Sequence, residues 1–235
     1  MKTAGIDGCK AGWLLITFDD KNEKYEVIRN SDDLKKVFEA YDRIFIDMPI
    51  GLSDSEYTRS CDELLRKKLG PEYSSSVFSP PIRPALDAPS YVEANMISYE
   101  YTEKKLSIQS WNITPKIKTL DGLLQENELF RDKILESHPE YIFMKMNGGM
   151  IYQKKNTKKG IKHRLELLKE LEKISDDFFR DIKEEFRRNE VDEDDIVDAM
   201  ALAWAAKKSA DTDIKTLPDP PETDSTGLTM AIHYI

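Results

Sequence analysis

Asp7 and Asp47 are carboxylates set inside otherwise apolar, strand-like runs, Ala4-Gly5-Ile6-Asp7-Gly8 and Ile44-Phe45-Ile46-Asp47-Met48-Pro49. An ionised carboxylate is costly to bury unless a cation or hydrogen-bond donors meet it, so each of these acids needs a partner. Two acids at neighbouring strand ends would repel, and one would keep its proton, unless a divalent cation between them stabilised both as carboxylates. Asp195 and Asp198 stand three apart, hence on one face of a helix, beside Ala199 and Ala201, whose small side chains permit close approach to a sheet. Acids arriving from separate elements suit Mg2+ or Mn2+, which take oxygen ligands and complete their shells with water and substrate phosphate. The chemistry implied is phosphoryl transfer. With two ions about 3.5–4 Å apart a water is activated and the leaving oxygen stabilised, Asp7 bridging both ions. The competing readings are local: Asp194 and Asp195 suit the first turn of a helix, where the macrodipole stabilises negative charge by about 0.3–1 kcal/mol, and Asp7 and Asp47 would cap turns at strand ends.

Basic residues supply a second pattern. Lys154, Lys155, Lys158, Lys159, Lys162 and Arg164 fall in one short stretch with no acid among them. The run could grip nucleic-acid phosphates or form a solvated loop leading into a helix. Lys10 adjoins the first strand. Arg59 and Arg66 follow the strand that carries Asp47 and could fork onto phosphate, or else pair with Asp62 and Glu63. Trp111 and Lys116 could stack a base and hold a phosphate, or belong to the core of an insertion. His138 could orient a water or a scissile phosphate, or order the turn before Pro139.

The elements that must position these groups read as α/β. Thr3 to Cys9, Trp13 to Phe18 and Lys24 to Ile28 suggest an antiparallel meander, with a turn at Asp19-Asp20-Lys21-Asn22. Ser31 can cap a helix containing Leu34, Val37 and Phe38, and Arg43 to Met48 forms a buried strand stopped by Pro49, giving the order βββαβ. Residues 51–131 read as an irregular insertion, with short helices near Cys61 to Leu69 and Tyr91 to Tyr101. A fifth strand at Lys133 to Leu135, a helix from Pro139 to Met146, an amphipathic helix through Leu165, Leu168, Leu171 and Ile174, and another from about Asp176 to Arg188 follow. The last helix spans about Glu193 to Lys208, and Thr226 to Ile235 is a closing strand or extended tail. The expected organisation is one domain over 1–235, with 51–131 inserted after the fourth strand.

Composition bounds the function class. The chain has 235 residues, 40% of them hydrophobic, enough for a real core, and no apolar run approaches the length of a membrane span. Cys9 and Cys61 are too few for a disulfide scaffold and lack zinc-site spacing, which fits a reducing cytoplasm. A net charge of −9 argues against a general nucleic-acid coating protein, although residues 151–190 are net positive and 191–235 strongly negative.

The segments Gly5-Ile6-Asp7-Gly8-Cys9-Lys10-Ala11-Gly12-Trp13, Ile46-Asp47-Met48-Pro49-Ile50-Gly51-Leu52, Arg59-Ser60-Cys61-Asp62, Ser76-Val77-Phe78, Glu136-Ser137-His138-Pro139-Glu140, Asn147-Gly148-Gly149 and Asp195-Ile196-Val197-Asp198-Ala199 resemble an uncharacterised bacterial and archaeal family of predicted RNase H-like nucleases. The last pattern is similar to that of Holliday-junction resolvases. The resemblance implies an RNase H-like mixed five-stranded sheet with a βββαβ core flanked by helices. It makes Asp7 the first-strand metal ligand, Asp47 the second carboxylate, and Asp195 or Asp198 the last. Glu136 belongs to the family pattern and is a catalytic candidate, and whether it joins the metal site is open. The leading expectation is therefore a Mg2+- or Mn2+-dependent nuclease acting on DNA or RNA, with no membrane partner and a homodimer left open. The alternatives are an ATP-using relative of the actin-like class, since a Gly-Ile-Asp-Gly opening can also hold a nucleotide's metal and phosphates, and a non-catalytic nucleic-acid-binding module.

Overall fold

Two near-continuously buried runs and one alternating run, bounded by turns, build three antiparallel strands, β1 (Thr3–Cys9), β2 (Gly12–Phe18) and β3 (Glu23–Ile28), in a computed structural model that describes residues 1–19, 22–172, 174–175 and 177–235. The turn expected over residues 19–22 therefore lies partly outside the described residues. Helix α1 (Ser31–Ala40) follows, capped by Asn30, whose side chain accepts the Asp33 N–H, so the cap falls one residue before the expected Ser31. Strand β4 (Arg43–Asp47) then returns parallel to β1. After a long excursion containing α2 (Ser60–Tyr73), α3 (Tyr91–Thr102), α4 (Ile108–Glu126) and the short α5 (Glu128–Arg131), strand β5 (Ile134–Glu136) pairs parallel with β4. The sheet order is β3-β2-β1-β4-β5, a mixed five-stranded sheet flanked by helices and consistent with an RNase H-like fold.

Helices α6 (Pro139–Met146), α7 (Lys158–Leu171), α8 (Phe178–Glu185) and α9 (Glu193–Lys208) complete this part of the chain. Pro139 occupies the first turn of α6, where its missing N–H costs nothing, and Asp192 caps α9. The expected start of α8 at Asp176 lies outside the described residues. Helix α9 is buried along nearly its whole apolar length, from Ile196 to Ala206. It packs on β1, β2 and β4 and is itself covered by α6, α7 and α8. A chain ending in strands β6 (Lys215–Thr223) and β7 (Thr229–Tyr234) closes the molecule's sequence with a second, two-stranded sheet.

The described residues form two compact units. The first comprises residues 1–47, 132–215 and 233–235, and the second 48–131 together with 216–232. The second unit differs from the irregular insertion expected. Its α4 is a nineteen-residue helix running through Pro115. Proline reads locally as a breaker, but burial of Thr114, Ile117, Leu120 and Leu124 along one face outweighs the lost hydrogen bond. Strand β6 was likewise illegible, because Pro218, Pro220 and Pro221 cannot donate to a ladder; a two-stranded sheet leaves one edge of each strand unpaired, and that is where proline is tolerated. No helix among the described residues is long and apolar enough to cross a membrane.

Candidate active site: an acidic cluster on the α9 face of the sheet

Strand alternation decides which acids can meet. Gly5 and Asp7 are two residues apart on β1 and so point to one face. The parallel register places Asp7 opposite Asp47 and Gly5 opposite Phe45. Phe45 belongs to the apolar core that includes Leu14, Ile16 and the buried side of α9, so Asp7 and Asp47 look out from the α9 face at the carboxyl ends of adjacent strands.

Gly5 brings α9 into place. A Cβ there would lie 2.1 Å from the Ala203 amide nitrogen and 2.6 Å from the Ala199 carbonyl oxygen, so helix backbone rests directly on strand backbone. Asp198 stands five residues before Ala203, about 7.5 Å along the helix, and Asp7 stands two residues beyond Gly5, about 6.6 Å along the strand. The near match of these rises carries Asp198 to Asp7. Asp7 is 7% and Asp198 2% exposed.

The electrostatics follow from that crowding. Burial, then Asp47, Asp198 and Asp195, hold the Asp7 carboxyl well above the usual carboxylate range, against a smaller opposing effect of Lys155. Burial and Asp198 push Asp47 up to about 7. Asp195 is pushed up to about 6 by burial, with Asp194 and Asp198 adding to the shift and the Asp192 N–H opposing it. That N–H donates to Asp195 Oδ2 at 2.8 Å, completing a reciprocal cap with Asp192. Asp195 thus fixes the start of α9, as the local reading of this acid anticipates, while adding its charge to the cluster.

One oxygen of Asp198 is already taken. Lys155 Nζ donates to Asp198 Oδ2 at 2.5 Å and stands 3.9 Å from Asp194 Oδ2, while Asp198 Oδ1 is buried with no hydrogen-bond partner. Asp7 Oδ1 accepts the Gly8 N–H at 2.8 Å. Burial would lower the Lys155 pKa, but Asp198, with Asp7 and Asp47 behind it, prevails and holds the ammonium above its ordinary value. Among the described residues no group of three or more His, Cys, Asp or Glu side chains is arranged to hold a metal ion.

The other expected site residues separate into distinct environments. Glu136 pairs in register with Ile46, one position out of phase with Asp47, so alternation turns it to the opposite face of the sheet from Asp7. That phase sets Glu136 apart from the Asp7 and Asp47 pair, and Glu136→Gln is expected to leave divalent-metal affinity within about twofold of wild type in a calorimetric titration. His138 occupies the N-cap position of α6 and lies near enough to Glu140 to favour that residue's ionised form. Arg164 is fully buried, its guanidinium donating to both Glu140 oxygens at 2.5 and 2.8 Å and to the Gln153 carbonyl at 2.9 Å, so it has no face for a nucleic-acid phosphate. Arg59, 3% exposed, is equally committed to Asp62 and to the carbonyls of Ile50 and Gly51. Arg66 donates to the Val77 carbonyl and Ser79 Oγ. Half-buried Trp111 packs at an angle against Tyr91, and half-buried Lys116 follows it on α4. Arg59, Arg66, Trp111 and Lys116 all belong to the second compact unit. In the first unit, Lys154, Lys158 and Lys159 are exposed, Lys162 is exposed beside Glu166, and exposed Lys10 stands 3.8 Å from Asp192.

Sequence reasoning placed Lys155 with the phosphate-gripping lysines and so missed its place among the acids. Its Asp198 partner is 43 residues away, and nothing local distinguishes Lys155 from Lys154.

A family described as "Protein of unknown function (DUF429)" matches residues 5–223, nearly the whole chain and all of the acidic cluster. The chain belongs to this family. No curated protein and no solved structure matches it.

Proposed function

We propose that this member of the family is a Mg2+- or Mn2+-dependent phosphodiesterase that hydrolyses nucleic acid, built on the RNase H-like plan and related to its resolvase branch. The observation that supports this reading is the in-register pairing of Asp7 with Asp47 on adjacent parallel strands, with α9 lying on Gly5 so that Asp198 joins them. The donor set fits a hard divalent ion. All donors are carboxylate oxygens, Asp198 Oδ1 is buried without a partner, and Mg2+ needs only one or two protein carboxylates because water and substrate phosphate complete its shell. Once bound, such an ion supplies an activated water and stabilisation of the leaving oxygen.

Among the described residues no three acids are already drawn together as a ligand set, so binding would gather Asp7, Asp47 and Asp198 around the ion. Asp195 keeps the first turn of α9 in place, and the exposed Lys154, Lys158 and Lys159 bind the substrate backbone by charge. Only two cysteines, Cys9 and Cys61, both buried, suit a reducing, cytoplasmic setting. The test is a cleavage assay of the full chain on single-stranded, duplex, hybrid and branched DNA and RNA, with Mg2+ or Mn2+ and with excess chelator. Cleavage of at least one substrate class that chelator abolishes is the expected result. Intact substrates throughout, despite metal binding, would retire the nuclease reading in favour of the ATP-using or non-catalytic alternatives.

A further inference from the structure

Lys155 is held among the carboxylates by a purpose-built scaffold. The Thr157 side chain accepts the Gly160 N–H and donates to the Lys154 carbonyl at 2.8 Å, closing the turn that contains Lys155. A Cβ on Gly160 would lie 2.0 Å from the Lys154 carbonyl oxygen, so only glycine lets that turn fold down onto α7. The buried Arg164 clamps the Gln153 carbonyl from below, and Glu140 locks Arg164 in turn. Lys155 is thereby anchored on both sides of its backbone, while its side chain, 39% exposed, retains a path to solvent. Its ammonium ends on Asp198, whose second oxygen is buried and unpartnered.

From this geometry we infer that Lys155 is a resident counter-cation of the acidic cluster, a positioning residue that competes with a divalent ion for Asp198 and swings out when the ion binds. The inference rests on the proposed metal-holding role of Asp7, Asp47 and Asp198. Without an ion the ammonium offsets carboxylates that would otherwise face one another in a poorly hydrated recess. With an ion its positive charge is in the wrong place, since two cations then share one carboxylate. Metal affinity is therefore set partly by the work of displacing Lys155, and the flexible four-carbon stem makes displacement a side-chain movement rather than a refolding.

The test is calorimetric titration of Mn2+ alone into the full chain at pH 8, for wild type, Lys155→Met and Lys155→Arg, with folding of each checked by circular dichroism in chelator. Lys155→Met should bind Mn2+ about fivefold to tenfold more tightly than wild type, and Lys155→Arg, which keeps the charge, should not. A second measurement needs no variant: amine-reactive labelling of Lys155 in wild type, read by peptide mass spectrometry, should rise severalfold on adding Mn2+. Wild-type binding with no gain in Lys155→Met, or labelling unchanged by Mn2+, overturns the counter-cation role and leaves the metal site standing. Failure of every variant to bind Mn2+ overturns both. Tighter binding by Lys155→Met without cleavage of any nucleic acid sustains the counter-cation role and removes only the nuclease proposal.

Discussion

Gly5→Ala should destabilise the protein by more than about 3 kcal/mol, although it adds a single methyl group. The added carbon would meet three helix-backbone atoms at once, the Ala203 nitrogen at 2.1 Å, the Ala199 oxygen at 2.6 Å and the Leu202 carbonyl carbon at 2.6 Å. Side chains can rotate away from an intruder, but an α-helix can only translate as a body. Helix α9 is pinned between the sheet and helices α6, α7 and α8, so lifting it opens voids on one side and compresses contacts on the other. The same displacement carries Asp198 away from Asp7, so residual folded protein should also lose divalent-metal affinity. Gly122→Ala is the internal contrast. It lies in α4 with nothing within 4 Å of the added carbon, and alanine's helix propensity should there raise stability by about 0.5–1 kcal/mol. Urea denaturation midpoints of the two variants against wild type decide the matter. A Gly5→Ala protein within 0.5 kcal/mol of wild type, a margin typical of innocuous surface changes, would show that β1 and α9 do not touch as described.

Asp7→Asn should abolish metal binding and lower cleavage by about a thousandfold, the loss expected for removing several kcal/mol of transition-state stabilisation. The same substitution should make the metal-free protein more stable at pH 8. Burial and three neighbouring acids raise the folded-state pKa of Asp7 far above its unfolded value. A carboxyl with a raised folded pKa binds its proton more tightly in the folded state. It therefore removes stability progressively as pH climbs from the unfolded pKa, near 4, through the folded one. For Asp47 that window closes at about 7, and for Asp195 at about 6. In chelator, wild type should accordingly melt at a lower temperature at pH 8 than at pH 5, by an amount corresponding to about 1–3 kcal/mol. In Asp7→Asn the difference should shrink, because the amide never ionises and so never adds its charge to those of Asp47, Asp198 and Asp195. Excess Mn2+ should restore wild type at pH 8 and leave the variant unmoved. Thermal melts at the two pH values, with and without Mn2+, give all four comparisons. A variant that melts lower than wild type at pH 8 in chelator would mean that the acids are not forced together, and unchanged Mn2+ affinity would mean that Asp7 is no ligand.

Such opposed effects on stability and activity are the mark of groups assembled for chemistry at a cost to the fold. Part of that assembly was legible in the chain itself. Asp7 and Asp47 stand out because a carboxylate interrupts an apolar strand, a conflict that needs no knowledge of the partner. Helix α9 could be bounded at Glu193 and Lys208, because its acidic first turn, its periodic Ile196, Met200 and Ala203, and its lysines at the end are all local signals. No local signal of that kind marked the helix through Pro115 or the proline-rich β6, where burial and an unpaired strand edge decided the outcome.

The basic and acidic side chains outside the strands show the limit most plainly. Lys154 and Lys155 are adjacent and chemically identical, yet one is exposed and the other is bonded to Asp198. Arg164 closes the lysine run by composition, but Glu140 draws it into the interior. Glu136 differs from Asp47 by a one-residue phase in β-strand pairing, and that phase sends it to the other face of the sheet.

Residue type, local period and capping chemistry, all properties of a single stretch of chain, determined the βββαβ succession of elements, the last helix and the presence of strained acids. Register, the seating of α9 on Gly5 and the pairing of Lys155 with Asp198 were decided only in three dimensions. Each is an interaction between segments tens of residues or more apart, and its energy depends on a distance that no single segment contains.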